Sequence, residues 1–133
     1  MRVKELRIIL TVDNLDKIIS FYRDVAGLAV SKEWNDESGH GIILEAGKAS
    51  IELVDRKDAA SIDEIEVGRR IAGSVRLALN IGENIKDASE QFIAGGAIAI
   101  ANVKQAPWSK VRRMQDPAGM QFTLFETSTL FEA

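Results

Sequence analysis

The feature that most constrains this chain is an internal repetition. The stretch Leu6–Val12 (LRIILTV) reads as a strand, and a run with apolar residues at helical spacing follows it. The same order returns at Ser74–Ile81 (SVRLALNI). Arg7 matches Arg76 and Val12 matches Ile81 at a spacing of 69 residues, with Asn14 falling near Glu83. Toward the ends of the two halves the spacing drifts to about 71, which pairs Glu52 with Thr123. A duplicated unit organises a chain more firmly than any single propensity, because both copies must solve the same burial problem.

Each half reads as βαβββ. In the first, Asp13 or Asn14 can cap a helix whose apolar face is Leu15, Ile18, Ile19, Tyr22 and Val25, with Gly27 to close it. Phe21 and Tyr22 read as packing residues of that helix. Strands are expected near Ala29–Asn35, Gly41–Ala46 and Ser50–Val54. Residues 55–72 are polar and show no sustained period, so they read as the connection between halves. In the second half the helix carries Ile85, Ala88, Phe92 and Ile93 on one face and ends at Gly95–Gly96. Strands follow at AIAIANV, SKVRRMQ and MQFTLFE, the last two joined by DPAG, whose Asp, Pro and Gly suit a type I turn. The expected organisation is a single domain over 1–133: module one about 1–55, a connection about 56–72 and module two about 73–133.

Each helix can cover one face of its own sheet, so the other faces must meet and form a cup. Alternation along the strands assigns the sides. Leu6, Ile8, Leu10 and Val12 should pack under the first helix, and Val75, Leu77, Leu79 and Ile81 under the second. Ile51, Leu53, Phe122 and Leu124 join them. Arg7, Thr11, Glu52, Arg76, Asn80, Gln121 and Thr123 then face the cup beside Ile9, Ala78 and Phe125. A few polar groups among apolar ones is the usual lining of a small-molecule site, although antiparallel sheets also leave one face simply solvated. Trp34 and Trp108 fall near strand ends, at the rim, where a ring can stack on a planar ligand or merely pack. His40 reads as a solvent-facing turn residue. One of Arg112 and Arg113 should face the cup, but the uncertain strand start leaves open which.

Composition removes several kinds of function. With 46% apolar and 28% charged residues the chain is globular. A net charge of −3 argues against nucleic acid as partner. The absence of cysteine excludes disulfides and thiol chemistry, and one histidine excludes a multi-imidazole site within one chain. No signal peptide or membrane span is visible, which makes a cytoplasmic location the expectation. No Gly-x-Ser-x-Gly elbow, P-loop or Gly-x-Gly-x-x-Gly pattern is present.

The segments ILTVDNLDKIISFYRDVAGL, GKASIELV, VRLALNIGENIKDASEQFIAGGA and PWSKVRRMQDPAGMQFTLFE together resemble the glyoxalase/bleomycin-resistance/extradiol-dioxygenase (vicinal oxygen chelate) superfamily. FYRDVAGL and DPAG are the most specific parts. The resemblance implies an α+β fold in which two βαβββ modules form an incomplete barrel around a cup-shaped pocket, often in a homodimer. In enzyme members a divalent metal sits in the cup, held by His, Glu or Gln from the first and last strands of each module. The matching positions here are Arg7, Glu52, Arg76 and Thr123. Arginine has donors only and cannot ligate a metal. One carboxylate and one hydroxyl do not make a transition-metal site. The expectation is therefore no metal and no cofactor.

Two roles suit the arginines. They can pair with Glu52 in the space a metal would neutralise, or they can leave about one net positive charge for a small anionic ligand. An adjacent arginine should also hold Glu52 ionised and lower its pKa. The preferred expectation is a metal-free protein binding a small anionic or polar-aromatic molecule. Arg7, Glu52, Arg76 and Thr123 would form the pocket floor, with Ile9, Thr11, Trp34, Asn80, Trp108, Gln121 and Phe125 as wall or rim. The alternatives are a metal-dependent or altered-chemistry lyase, isomerase or dioxygenase, and a structural dimer with a vestigial pocket.

Overall fold

A computed structural model describes residues 1–25 and 27–127, without the side chains of Phe21 and Val25. The packing expected of Phe21 and Val25 lies outside that description.

Among the described residues, nine strands form one curled sheet. β1 (Glu5–Thr11), β2 (Val30–Asp36), β3 (Gly39–Ala46) and β4 (Ala49–Val54) belong to the first half. β5 (Val75–Gly82), β6 (Ile98–Ala99), β7 (Lys104–Gln105), β8 (Lys110–Gln115) and β9 (Gln121–Glu126) belong to the second. The order across the sheet is β2-β3-β4-β1-β5-β9-β8-β6, with β7 also on β8. Each half repeats one device: its first strand lies parallel to its last, β1 on β4 and β5 on β9. The halves join within the chain through antiparallel β1 and β5, where Leu6 faces Leu79 and Ile9 faces Arg76. The duplicated βαβββ order read from the sequence is thus the order of the fold.

α1 (Leu15–Ile19) starts at Asn14, whose side chain accepts from the Lys17 N–H, and it widens into a π-helical turn at Ser20–Val25. Gly27 follows at φ +77°, a conformation that glycine adopts without strain. α3 (Ile85–Ala94) is capped by Asn84, which accepts from the Asp87 N–H. One apolar core lies under each helix: Leu15 and Ile19 on Ile42, Leu44 and Leu53, and Ile85 and Ala88 on Met114, Phe122 and Leu124. The third core lies inside the cup and joins Ile9, Val54, Ala78, Val111 and Phe125. DPAG forms the expected turn, with the Gly119 N–H donating to the Asp116 carbonyl at 3.0 Å.

Four readings change. The polar connection contains a three-turn helix, α2 (Arg56–Val67). Leu6 and Val75 are exposed, because they sit at opposite ends of the β1–β5 seam and belong to neither helix-covered core. Ile93 is exposed too, since positions 85, 88, 89 and 92 make the buried stripe of α3 and Ser89 takes the place expected for an apolar residue. The strand expected at residues 97–103 breaks after Ala99. Ile100 and Ala101 both donate to the Arg113 carbonyl, so the ladder loses its register there and pairing resumes at β7.

Candidate functional site

The cup is bridged by α2, which packs against β3 of the first half and β8 of the second. Asp55 caps the helix by accepting from the Asp58 N–H at 2.8 Å. Gly68, at φ +79°, ends it with its N–H on the carbonyls of Asp63 and Glu64. The buried face of α2 is Asp58, Ala59, Ile62, Asp63 and Glu66. This is a helical stripe, but three of its five members are acids. A buried carboxylate persists only when paired or hydrogen-bonded, and two of these three are tied to the second module.

Asp63 accepts from the backbone N–H groups of Ile71 and Ala72, and it pairs with Arg70 and Arg113, both at 2.8 Å. Glu66 pairs with Arg113 at 3.1 Å and accepts from the Thr123 hydroxyl at 2.7 Å. Arg113, with no exposed surface, also donates to Thr123 at 3.2 Å and to Gln121 at 2.9 Å. Of the two adjacent arginines, Arg113 is therefore the one that faces inward. Burial pushes the Asp63 carboxyl up. The Ala72 and Ile71 N–H groups together with Arg113 outweigh that, and its pKa is lowered.

The matched arginines meet different surroundings. Arg7 pairs with Glu5 at 3.1 Å and Glu52 at 3.4 Å, donates to Ser50, and lies 4.9 Å from the centre of the Phe125 ring. Arg76 donates to the Thr123 hydroxyl at 3.0 Å and forms no ion pair with a described residue. Arg76 is buried and borders the main cavity, and among the described residues the Thr123 hydroxyl is the one hydrogen-bond acceptor of its side chain. Glu52 is buried beside both arginines. Its pKa is nevertheless raised, because loss of solvent outweighs the attraction of Arg7 and Arg76, so the expected depression is reversed.

A cavity of about 360 Å³ remains between α2 and the sheet. Arg7, Glu52, Arg76 and Thr123 border it, as do Ile9, Trp34, Trp108 and Phe125. Three residues expected on its wall lie elsewhere. Thr11 borders a separate void of about 10 Å³. Asn80 turns its side-chain oxygen to the Gly82 N–H and the Thr127 hydroxyl, and Gln121 is occupied by Arg113. His40 lies on β3, half-buried, with Nε2 2.9 Å from Glu33 and outside the cavity. Asp58, Ile62, Ile65 and Glu66 of α2 are cavity residues that the sequence reading missed. The signals that could have found the helix are Asp55 at its start, Asp58 three residues on and Gly68 at its end.

The model for the glyoxalase-like domain family matches residues 7–125. The chain belongs to that family. Among solved structures, the fold is similar to a hypothetical protein from Bacillus halodurans C-125, with TM-score 0.67, 16% identity, and 99% of this chain and 98% of that chain covered. Methylmalonyl-CoA epimerase from Mycobacterium tuberculosis superposes with TM-score 0.64 at 16% identity, covering 96% of this chain and 89% of the other. A glyoxalase/bleomycin resistance protein/dioxygenase superfamily member from Vibrio splendidus 12B01 gives TM-score 0.59 at 15% identity, covering 91% and 97%. No curated protein matches significantly. At these identities the likeness concerns the fold alone. The superfamily resemblance and the α+β cup read from the sequence agree with it.

The residues at the metal positions of the resembling enzymes do not fit a metal. Arg7 and Arg76 bring guanidinium groups to two of the four positions, and Thr123 has its hydroxyl engaged by Arg76, Arg113 and Glu66. Among the described residues, no three His, Asp or Glu side chains are arranged to hold an ion. A cation placed there would meet the fixed positive charges of Arg7 and Arg76, while Glu66, the carboxylate nearest Thr123, is already paired with Arg113.

Proposed function

We propose that this glyoxalase-like protein binds a small polar-aromatic molecule in its cup without a metal, and that Arg76 receives an acceptor group of that molecule. The observation that carries the reading is Arg76 itself: a buried cation bordering a cavity, donating to one hydroxyl and forming no ion pair among the described residues. The cavity volume falls within the range for small-molecule sites. Its wall supplies Trp34, Trp108 and Phe125 for a flat ring and Ile9 and Ile62 for apolar contact. Glu5, paired with Arg7, offsets the net positive charge that Arg7, Arg76 and Glu52 alone imply. What remains is a directional donor rather than a general attraction for anions. A carboxylate or carbonyl on an aromatic ring matches it. A homodimer, implied by the family resemblance, belongs to the same proposal and is checked by light scattering.

The test is a thermal-shift and calorimetric screen of the full chain against benzoate, 2-naphthoate and related aromatic acids. A ligand present at about 100 times its Kd stabilises by roughly 2.7 kcal/mol, which is readily measured. Arg76→Met should weaken binding by at least about tenfold, as expected for a lost charge-assisted hydrogen bond. If every bound ligand keeps its affinity in Arg76→Met, or if none binds, the proposal fails. Elemental analysis finding about one tightly held transition metal per chain would also overturn it.

A further inference from the structure

Asp58 has work left over. It lies in the first turn of α2, is 3% exposed and borders the same cavity as Arg76. One carboxyl oxygen, Oδ1, accepts from the Trp34 indole Nε1 at 2.8 Å. The other, Oδ2, is buried without a hydrogen-bond partner among the described residues. A buried acceptor left unmade is costly, so one beside a cavity gains from a donor brought there by a ligand.

The surrounding backbone holds this arrangement in place. Gly41 lies under the Trp34 ring, and a Cβ there would stand 2.1 Å from Cζ2. Gly39 lies against the start of α2, and a Cβ there would stand 2.3 Å from the Asp58 nitrogen. Two glycines on β3 thus let the indole and the helix end close on the strand together, and the Trp34 hydrogen bond holds one carboxyl oxygen. Asp58 takes no part in the ion pairs that secure Asp63 and Glu66, so pairing with an arginine does not explain its burial.

We infer that Asp58 is a second polar anchor of the cavity, recognising a cationic N–H group (an amidine or amine) on a planar ligand packed against Trp34. The inference rests on the reading of the cup as a small-molecule site. It adds that the ligand carries a donor as well as the acceptor directed at Arg76. Acids outnumber cations around Asp58 itself, although Lys32 on β2 also borders the cavity. Glu52 on β4, Asp36 on β2 and Asp55 at the helix cap all raise the Asp58 pKa, behind burial as the main cause, and the Trp34 bond opposes them. The resulting value of about 6 leaves the carboxyl ionised at neutral pH and able to accept.

Three probes with the same ring separate the anchors: benzamidine, benzamide and benzoate, titrated calorimetrically into the full chain. Benzamidine should bind at least about tenfold more weakly to Asp58→Asn than to the wild type, the change expected for a lost charge-assisted bond. Benzoate should change by less than about threefold in the same variant and still depend on Arg76. Benzamide should bind more weakly than benzamidine. In the wild type, benzamidine affinity should fall about tenfold from about pH 7.5 to about pH 5 as Asp58 takes up its proton, and Asp58→Asn should remove most of that dependence. The wild-type pH series needs no variant to fold. If benzoate binds through Arg76 but benzamidine is indifferent to both Asp58→Asn and pH, the inference falls and the small-molecule reading stands. If none of the three probes binds, the inference falls, and the small-molecule reading is decided by the wider screen of aromatic acids.

Discussion

Arg7 and Arg76 occupy the same position in two copies of one motif, and the fold treats them differently. Arg7 is satisfied inside its own module, by Glu5 from the same strand and by Ser50 and Glu52 from the parallel partner β4. Arg76 looks across to β9 and, among the described residues, finds only a threonine hydroxyl where β4 supplies a carboxylate. Carboxylates do reach the second floor, but they arrive on α2 and go to Arg113. A duplicated fold can therefore keep its backbone plan while the charge pairing of each half drifts independently. The half that borrowed its counter-ions from the connecting helix is the one left with a donor to spare.

That contrast can be broken by mutation, most sharply at Asp63. Asp63→Ala removes two ion pairs and the acceptor for two backbone N–H groups, and it leaves the fully buried Arg113 short of charge. We expect a loss of about 3–5 kcal/mol in urea unfolding. Because the Asp63 pKa is lowered, its contribution is present above the ordinary carboxylate pKa of 3.8 and is lost as pH falls through the folded value. Wild-type stability should drop in that acid window. A cost for Asp63→Ala below about 1 kcal/mol would mean that the second floor is no more dependent on its helix than a surface pair would be.

Gly41→Ala comes next. Its new methyl collides with the Trp34 ring on the first-module wall, and we expect a loss of about 1–3 kcal/mol together with a changed tryptophan fluorescence. Asp58→Asn should act in the opposite direction. The folded pKa of about 6 lies above the ordinary 3.8, so the native state binds the proton more tightly. The carboxyl therefore costs stability progressively as pH rises from about 4 to about 6. The amide should stabilise the fold by about 1–3 kcal/mol near pH 7.5 and by little near pH 4, as read from paired urea curves. A gain independent of pH would show that packing, not ionisation, was responsible. The smallest effect belongs to Glu5→Gln. Its pair with Arg7 is partly exposed and Glu52 remains as a second partner, so a change of about 0–1 kcal/mol is expected.

The repeated strand–helix–strand order, the side of the sheet on which Arg7, Glu52, Arg76 and Thr123 lie, and the glycine-marked turns were legible in the sequence. Each rests on local rules of period and backbone freedom. The helix across the cup was not legible, although both its caps are visible. Its buried stripe is written in Asp58, Asp63 and Glu66, and a search for apolar periodicity passes over acids. Those residues are buried because Arg113, Arg70, Thr123 and Trp34 wait for them from segments up to 57 residues away in sequence. The parity of Arg112 and Arg113 and the direction of the Glu52 pKa shift were hidden for the same reason. Each depends on burial and on partners brought together by distant strands.

The sequence by itself determined the duplicated scaffold and withdrew the usual metal ligands from it, since alternation and residue chemistry are properties of short stretches. Only the tertiary structure decided which charges are spent on one another and which are left without a partner. Pairing is a contest between neighbours in space, and among the described residues it left Arg76 without an ion pair and one Asp58 oxygen without a hydrogen bond.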